Sequence, residues 1–404
     1  MGKLTVIRAT SLILASVLAL PAVAEPTFKA DITFSAAQPD ATSGISDHSA
    51  VTSGLRMMND GWAGDVRFEY HLNLQHIQGS SLALIKAAEA AAIPTTLFDL
   101  TASSDIGSDG RLSAVLDRAS LAYTTDQTVL KIGRQAITWG MGTVFHPGDF
   151  VAPFSPSAVD TSFKSGVDLI YGQYLFDSGA DIQAIYVPRP SSFGGSVDQD
   201  ASTLALRGYA SLGAVDVAWT VAQDRGDQVQ SLGFSGALGG AAWKAEVVDW
   251  DLASGTVDPS WLVSLTNFGS IGDFGTTYFA ELYHNGFGEP ATVASADLSD
   301  ALKKRMQTGQ VFYAGENFLA LGGSLLVSPD IGISPSAIVS LDDSSWLFGL
   351  SGNLTVGDNA NISLSYFQPF GADGTEFGGR ETSSGSGVFA GPSPTLTLTA
   401  TQYF

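Results

Sequence analysis

Along most of the chain, apolar residues recur at every second position. Over residues 62 to 75, Trp62, Val66, Phe68, Tyr70, Leu72 and Leu74 share one parity, while Ala63, Asp65, Arg67, Glu69, His71, Asn73 and Gln75 take the other. Ala360, Ile362, Leu364 and Tyr366 oppose Asn361, Ser363 and Ser365 in the same way, and Val215, Val217, Trp219 and Val221 oppose Asp216, Ala218 and Thr220. Period two marks a strand with two unlike faces, because successive side chains point to opposite sides. The alternation predicts about 18 such segments: 26–36, 45–57, 62–76, 111–124, 128–136, 165–176, 180–189, 202–212, 214–223, 228–237, 241–251, 260–268, 275–284, 317–327, 332–342, 345–355, 359–368 and 394–404. Most run to about ten residues, the length of a tilted strand that crosses a hydrocarbon layer.

The connections carry their own pattern. Asn59-Asp60-Gly61, Asp126-Gln127, Asp177-Ser178-Gly179, Gly213, Gly239-Gly240 and Gly357-Asp358 read as tight turns, rich in residues that tolerate positive φ. Longer joints fall near 77–110, 138–164, 190–201, 285–316 and 369–393. Short and long connections taking turns predict a transmembrane antiparallel up-and-down β-barrel, with 16 strands as the alternative count. Two patches inside long joints read as helices: 82–92 is built of strong helix formers, and 296–306 places acids first and bases last, as a helix dipole favours. Each is either a helix outside the barrel or a piece folded into the bore.

The ends of the chain sharpen this picture. Residues 1–24 set Lys3 and Arg8 before a short apolar run and close on Ala22-Val23-Ala24, the pattern of a cleaved secretory signal peptide. The remainder, 25–404, is expected to be the barrel. The last residues, LTLTATQYF, hold strict alternation up to Phe404. A barrel in lipid must hydrogen-bond its last strand to its first, because each unpaired backbone group there costs several kcal/mol. Leu396, Leu398, Ala400 and Phe404 are then expected to face lipid, and Thr395, Thr397, Thr399 and Thr401 the lumen. A terminal Phe resembles the signal read by the machinery that inserts outer-membrane proteins, although Gln402 stands where that pattern has an apolar residue.

Composition excludes several classes. The chain has 40 acidic residues against 19 basic; without Lys3 and Arg8 the balance is 17 against 40, or −23. A surface that binds nucleic acid needs clustered Lys and Arg, so no nucleic-acid partner is expected. Cysteine is absent, so an exported chain of this length is held by its core or its backbone ladder rather than by disulfides. A soluble propeller would repeat a motif every 40 to 50 residues or so, and none recurs here. The five histidines are scattered, and Asp47-His48-Ser49 is no triad, since strand neighbours diverge. Arg225-Gly226-Asp227 reads as a turn. Neither enzyme chemistry nor a cofactor is expected.

Residues 129 to 176 are the most site-like stretch. Pro147, Pro153 and Pro156 interrupt any ladder through its middle, while Phe145, Phe150, Phe154 and Phe163 make it too apolar for a solvated loop. The residues Gly133, Arg134, Gln135, Trp139, Gly140, Pro147, Asp149, Pro153, Gly166 and Asp168 resemble a segment of Gram-negative outer-membrane barrels of the porin type. The match covers about 50 of the 404 residues. That resemblance implies an inward-folding loop with Asp149 and Asp160 facing a basic wall drawn from Arg118, Lys131, Arg134 and Arg207; the alternative is a loop that caps or plugs one rim. Alternation adds Asp65, Arg67, Glu69, Asp168, Asp216, Lys244, Glu246 and Glu281 as inward charges, lining a pore or bracing it. The expected function is passive diffusion of small hydrophilic solutes, with cations preferred, through the outer membrane of a Gram-negative bacterium. Expected partners are outer-membrane lipid, the solutes or ions, and further copies of the chain as a homo-oligomer, a trimer in the porin type. A loop-plugged structural or adhesive barrel and a substrate-specific transporter are the alternatives.

Overall fold

The computed structural model describes residues 25–158 and 162–404; the leader-like segment and Asp160 lie outside them. Among the described residues, eighteen long strands follow one another: β1 Thr27–Ala37, β2 His48–Ala63, β3 Val66–Gln78, β4 Gly110–Thr124, β5 Thr128–Gln135, β6 Val167–Leu175, β7 Asp181–Pro190, β8 Val197–Leu212 and β9 Val215–Asp224; then β10 Asp227–Leu238, β11 Ala241–Leu252, β12 Ser260–Ile271, β13 Phe274–His284, β14 Asn317–Ser328, β15 Ile331–Ser340, β16 Trp346–Val356, β17 Ala360–Phe370 and β18 Thr395–Tyr403. Each pairs antiparallel with the next, and β18 pairs with both β17 and β1, so the sheet closes on itself. Phe28 and Phe404 exchange backbone hydrogen bonds at the closing seam. No sheet edge is left at the terminus, which is what the alternation up to the last residue requires.

Side-chain parity follows the pairing. Ile32 and Phe34 on β1, Leu130 and Ile132 on β5, Val263 and Leu265 on β12, and Leu396 and Leu398 on β18 are all exposed on the outside. Soluble monomers rarely show contiguous apolar patches beyond roughly 300–600 Å², and this belt encircles the molecule. The inner face carries Thr33, Thr399, Ser351 and Ser365, whose hydroxyls pair across neighbouring strands at 2.9 Å.

All eight connections on the rim that bears the chain termini are short, the longest being residues 176–180. The opposite rim carries the long ones, 38–47, 79–109, 136–166, 285–316 and 371–394, together with the tight Arg225-Gly226 turn. Both helices lie in long connections, at Ser81–Ala91 and Asp300–Gln307, and the second folds into the bore with Leu302 fully buried. Ser299 caps that helix by accepting from the Leu302 amide at 3.2 Å.

One turn lies elsewhere than its sequence implies. Asn59-Asp60-Gly61 sits within β2, and the chain reverses at Gly64-Asp65. The ladder continues through Asp60↔Glu69 and Gly61↔Phe68, and Asp60 meets Arg67 in an exposed pair at 2.9 Å. Trp62 therefore stands opposite Arg67 rather than sharing a face with Val66, and Asp65 is a turn residue, not a wall charge.

Candidate functional site

The site begins where a strand ends early. β5 pairs with β4 only over Ala119–Thr124, and its chain leaves the wall after Gln135. The short strand Thr101–Ile106 pairs with the upper part of β4, from Gly110 to Val115, and so fills the same place in the wall above β5. One wall position is thus shared by two pieces of chain, and residues 136–158 and 162–166 are free to enter the bore. Gly133, just before the departure, adopts φ 119; a Cβ there would stand 2.2 Å from the carbonyl oxygen of Ala119. Only glycine fits.

Inside the bore the loop is tied across to the far wall. The Trp139 indole donates to Gln183 at 2.9 Å, and Arg207 donates to the Trp139 carbonyl with its guanidinium 5.9 Å from the ring. Glu281 on β13, fully buried, accepts the backbone N–H groups of Thr143, Val144 and Phe145 at 2.6, 3.0 and 2.7 Å. Glu246 on β11 accepts from the Gly148 amide at 3.2 Å, and a Cβ on Gly148 would fall 2.2 Å from that carboxylate. With three prolines the loop cannot satisfy itself by a ladder, so wall carboxylates take up its amides. Asp149 and Lys164 form a buried ion pair that joins its two limbs.

The returning limb reaches the opposite wall. Arg118 donates to the Lys164 carbonyl and, at 2.8 Å, to that of Asp117. The Phe163 ring lies 4.4 Å from the Arg56 guanidinium, 5.1 Å from the Lys29 ammonium and 6.3 Å from the His71 ring. Arg56 pairs with Asp117 at 2.5 Å, and His71 with Glu69 at 3.5 Å. Mixed charge therefore rings the loop tip.

Apolar packing fills much of the remaining bore. Trp139, Phe150, Val187, Val248 and Trp250 belong to one core that also takes Leu302 of the second helix, while Phe145, Tyr283, Phe318 and Phe377 form another. Glu376 and Arg380 tie loop 371–394 to loop 285–316, Arg380 reaching the carbonyls of Glu289 and Pro290 at 2.6 and 2.8 Å. A cavity of about 420 Å³ opens between these loops, lined by Leu298, Lys303, Met306, Phe312, Tyr313 and Arg380 among others. The inner wall formed by β18, β1 and β2 stays outside both cores: Asp31, Thr33, Thr397, Thr399 and Thr401 are half-exposed. This wall of hydroxyls and charge faces the Phe163 limb, whose ring lies against Lys29 and Arg56.

The expected site residues divide. Arg118 and Arg207 face the bore and hold the loop; Glu69 faces it beside His71; Arg67 is paired with Asp60 near the turn rim. Lys131 lies on the inward parity, half-buried, and joins no ion pair among the described residues. Asp149 is paired with Lys164 of its own loop, and Arg207 of the wall lies within electrostatic range of it. Arg134 and Asp168 do not face the bore at all. They are register partners, two residues from Ile132 and Ile170, which are 55% and 50% exposed on the outside. Parity puts the pair on the outer face, and Val167 and Leu169 on either side of Asp168 are buried in the inner core. Segment 94–100 covers them there: Arg134 binds Asp168 at 2.8 and 2.9 Å, the Phe98 amide donates to Asp168 at 3.0 Å, and Arg134 donates to the Phe98 carbonyl. Lys29, Arg56, Asp117 and Lys164 were missed; inward parity was the available signal for the first two.

No protein-family model matches the chain, and no curated protein matches it in sequence. Solved structures match the fold. Wzi, described as an outer-membrane protein of group 1 capsule assembly in Escherichia coli and a carbohydrate-binding β-barrel, is 11% identical, with TM-score 0.53 over 98% of this chain and 87% of that one. OccK11 (OpdR) of Pseudomonas aeruginosa is also 11% identical, with TM-score 0.53 over 94% and 95%. A BenF-like porin from Pseudomonas fluorescens Pf-5 is 12% identical, with TM-score 0.51 over 94% and 98%. At these identities the likeness establishes the shared barrel.

Proposed function

We propose that this chain is an outer-membrane channel through which small hydrophilic solutes diffuse down their gradients, along the crescent between the Phe163 limb and the hydroxyl-lined wall. The observation that carries the reading is a loop pinned across the bore by Glu246 and Glu281 that leaves one polar wall outside the apolar cores. A barrel wall with charge on its inner face and a narrowing loop sorts solutes by size and charge. Lys29, Arg56 and Arg118 stand there against Asp31, Glu69 and Asp117, so the crescent itself is close to neutral. The acidic surplus elsewhere then sets the sign of the field at the mouths, and cations are preferred weakly. The barrel sits in the outer membrane of a Gram-negative bacterium, with its turn rim toward the periplasm, and assembles with further copies, as porin-type barrels do in trimers.

Swelling of liposomes carrying the purified protein tests this. Sugars and amino acids should enter at rates falling smoothly with size; entry of one compound alone would mark a substrate-specific transporter instead. A second reading, a barrel plugged by its own loops and acting through its outer segments, is favoured by the two apolar cores within the bore. It predicts no swelling with any solute.

A further inference from the structure

The cavity of about 420 Å³ at the loop rim has the size of a small-molecule site, roughly 300–1,000 Å³. Leu298, Phe312 and Tyr313, with the helix Asp300–Gln307, wall it on one side, and Ala390 and Pro392 of loop 371–394 on the other. Most of this lining is apolar, so the chemistry of an occupant turns on the few polar groups within it.

Two of these groups are already committed. Arg380 donates to Glu376 through Nε at 3.1 Å and Nη2 at 2.9 Å; Nη2 also reaches the Glu289 carbonyl at 2.6 Å, and Nη1 those of Pro290 and Val293 at 2.8 and 3.4 Å. Glu376 in turn accepts from the Ala314 amide at 2.8 Å. The pair is neutral overall and holds the two loops together. Lys303, half-buried on the helix, is different: its ammonium joins no ion pair or hydrogen bond among the described residues, although Glu376 lines the same cavity. Gln307, one turn further along the helix and also in the lining, likewise engages its amide with no partner among the described residues. The cavity thus holds one uncompensated positive charge.

We propose that this cavity binds a small monoanion with a flat, apolar body, its charge on Lys303 and its body against the aromatic and proline lining. A cation would meet Lys303. A second negative charge would lack a partner and stand near Glu376. A sugar would leave most of its hydroxyls unmatched, because Ser295 and Gln307 are the neutral polar side chains of the lining apart from the Tyr313 phenol. A flat body suits the ring faces of Phe312 and Tyr313. The site does not depend on conduction: its two walls belong to different loops, and an occupant joins them whether the bore is open or sealed.

The test uses para-bromobenzenesulfonate and its neutral near-isostere para-bromobenzenesulfonamide, with the full chain in detergent. Calorimetry should show saturable binding of the sulfonate, about ten- to hundredfold tighter than the sulfonamide, the range for a hydrogen bond to a charged group. Lys303→Gln should remove that difference and leave the sulfonamide unchanged. Anomalous diffraction at the bromine edge should place the halogen inside the cavity. Equal affinity for the two probes, or bromine found only in the bore or on the membrane belt, overturns the assignment. So does a peak in the crystal without saturable uptake in solution, which is binding at crystal concentration only. Should Lys303→Gln fail to fold, the two probes on the unaltered chain decide.

Discussion

Glu281 is the strongest single tie between the loop and the far wall, and removing it has a calculable effect. Its carboxylate accepts three backbone N–H groups, from Thr143, Val144 and Phe145, with no exposed surface. Hydrogen bonds to a charged group contribute about 1.5–3 kcal/mol each. In Glu281→Ala, water entering the bore would re-solvate part of that loss, so about 4 kcal/mol for the set is a working figure. Since each 1.4 kcal/mol or so is tenfold, the detached loop should become more populated by about 10³. Hydrogen exchange of the Val144 and Phe145 amides in detergent reads this directly, with the β12 and β14 ladders as unmoved references. Exchange of those two amides within a factor of about three of wild type would refute the reasoning. It would mean that the apolar packing of Phe145, not the carboxylate, fixes the loop.

Further outcomes follow from the same geometry. Leu398→Arg, on the membrane face, should destabilise the barrel in lipid by about 2–4 kcal/mol in denaturant titration, whereas Thr399→Arg, one residue on and inward, should cost far less. Thr399→Pro removes a ladder donor from a strand paired on both sides, so the heat-modifiable folded band on electrophoresis should be lost. Neutralising Lys29 and Arg56 together with Gln should move the reversal potential in a salt gradient further toward cations, and an unchanged potential would place the conducting path elsewhere. Burial lowers the His146 pKa, against the opposing effects of Asp149 and Glu281 and with Lys164 and Lys244 adding to the lowering. A depressed folded pKa means that its contribution is present above the unfolded value, near 6.5, and is lost as pH falls further. Current noise should therefore rise between about pH 6.5 and pH 5, and His146→Gln should flatten that rise.

The strands were legible because lipid on one side and water on the other write themselves at period two, and every predicted segment corresponds to a barrel strand. The turn at Gly64-Asp65 was masked by Asn59-Asp60-Gly61, whose turn chemistry is stronger in isolation than the ladder that overrides it. The outward placement of Arg134 was in fact readable, since it continues the parity of Leu130 and Ile132. The resemblance to a porin-type loop implies the opposite, inward placement. What covers Arg134 and Asp168 could not be read, because Phe98 lies in an irregular segment 36 residues before Arg134 with no periodicity to place it. The Asp149–Lys164 pair is hidden for the same reason: a proline-broken loop has no alternation from which partners can be inferred.

Single-channel recording from the purified protein in a planar bilayer tests most directly whether the crescent conducts. Stable, voltage-tolerant open steps with a modest cation preference are predicted. Silence across the voltage range, in a protein that still shows its folded band, would contradict the channel and leave a barrel sealed by its own loops.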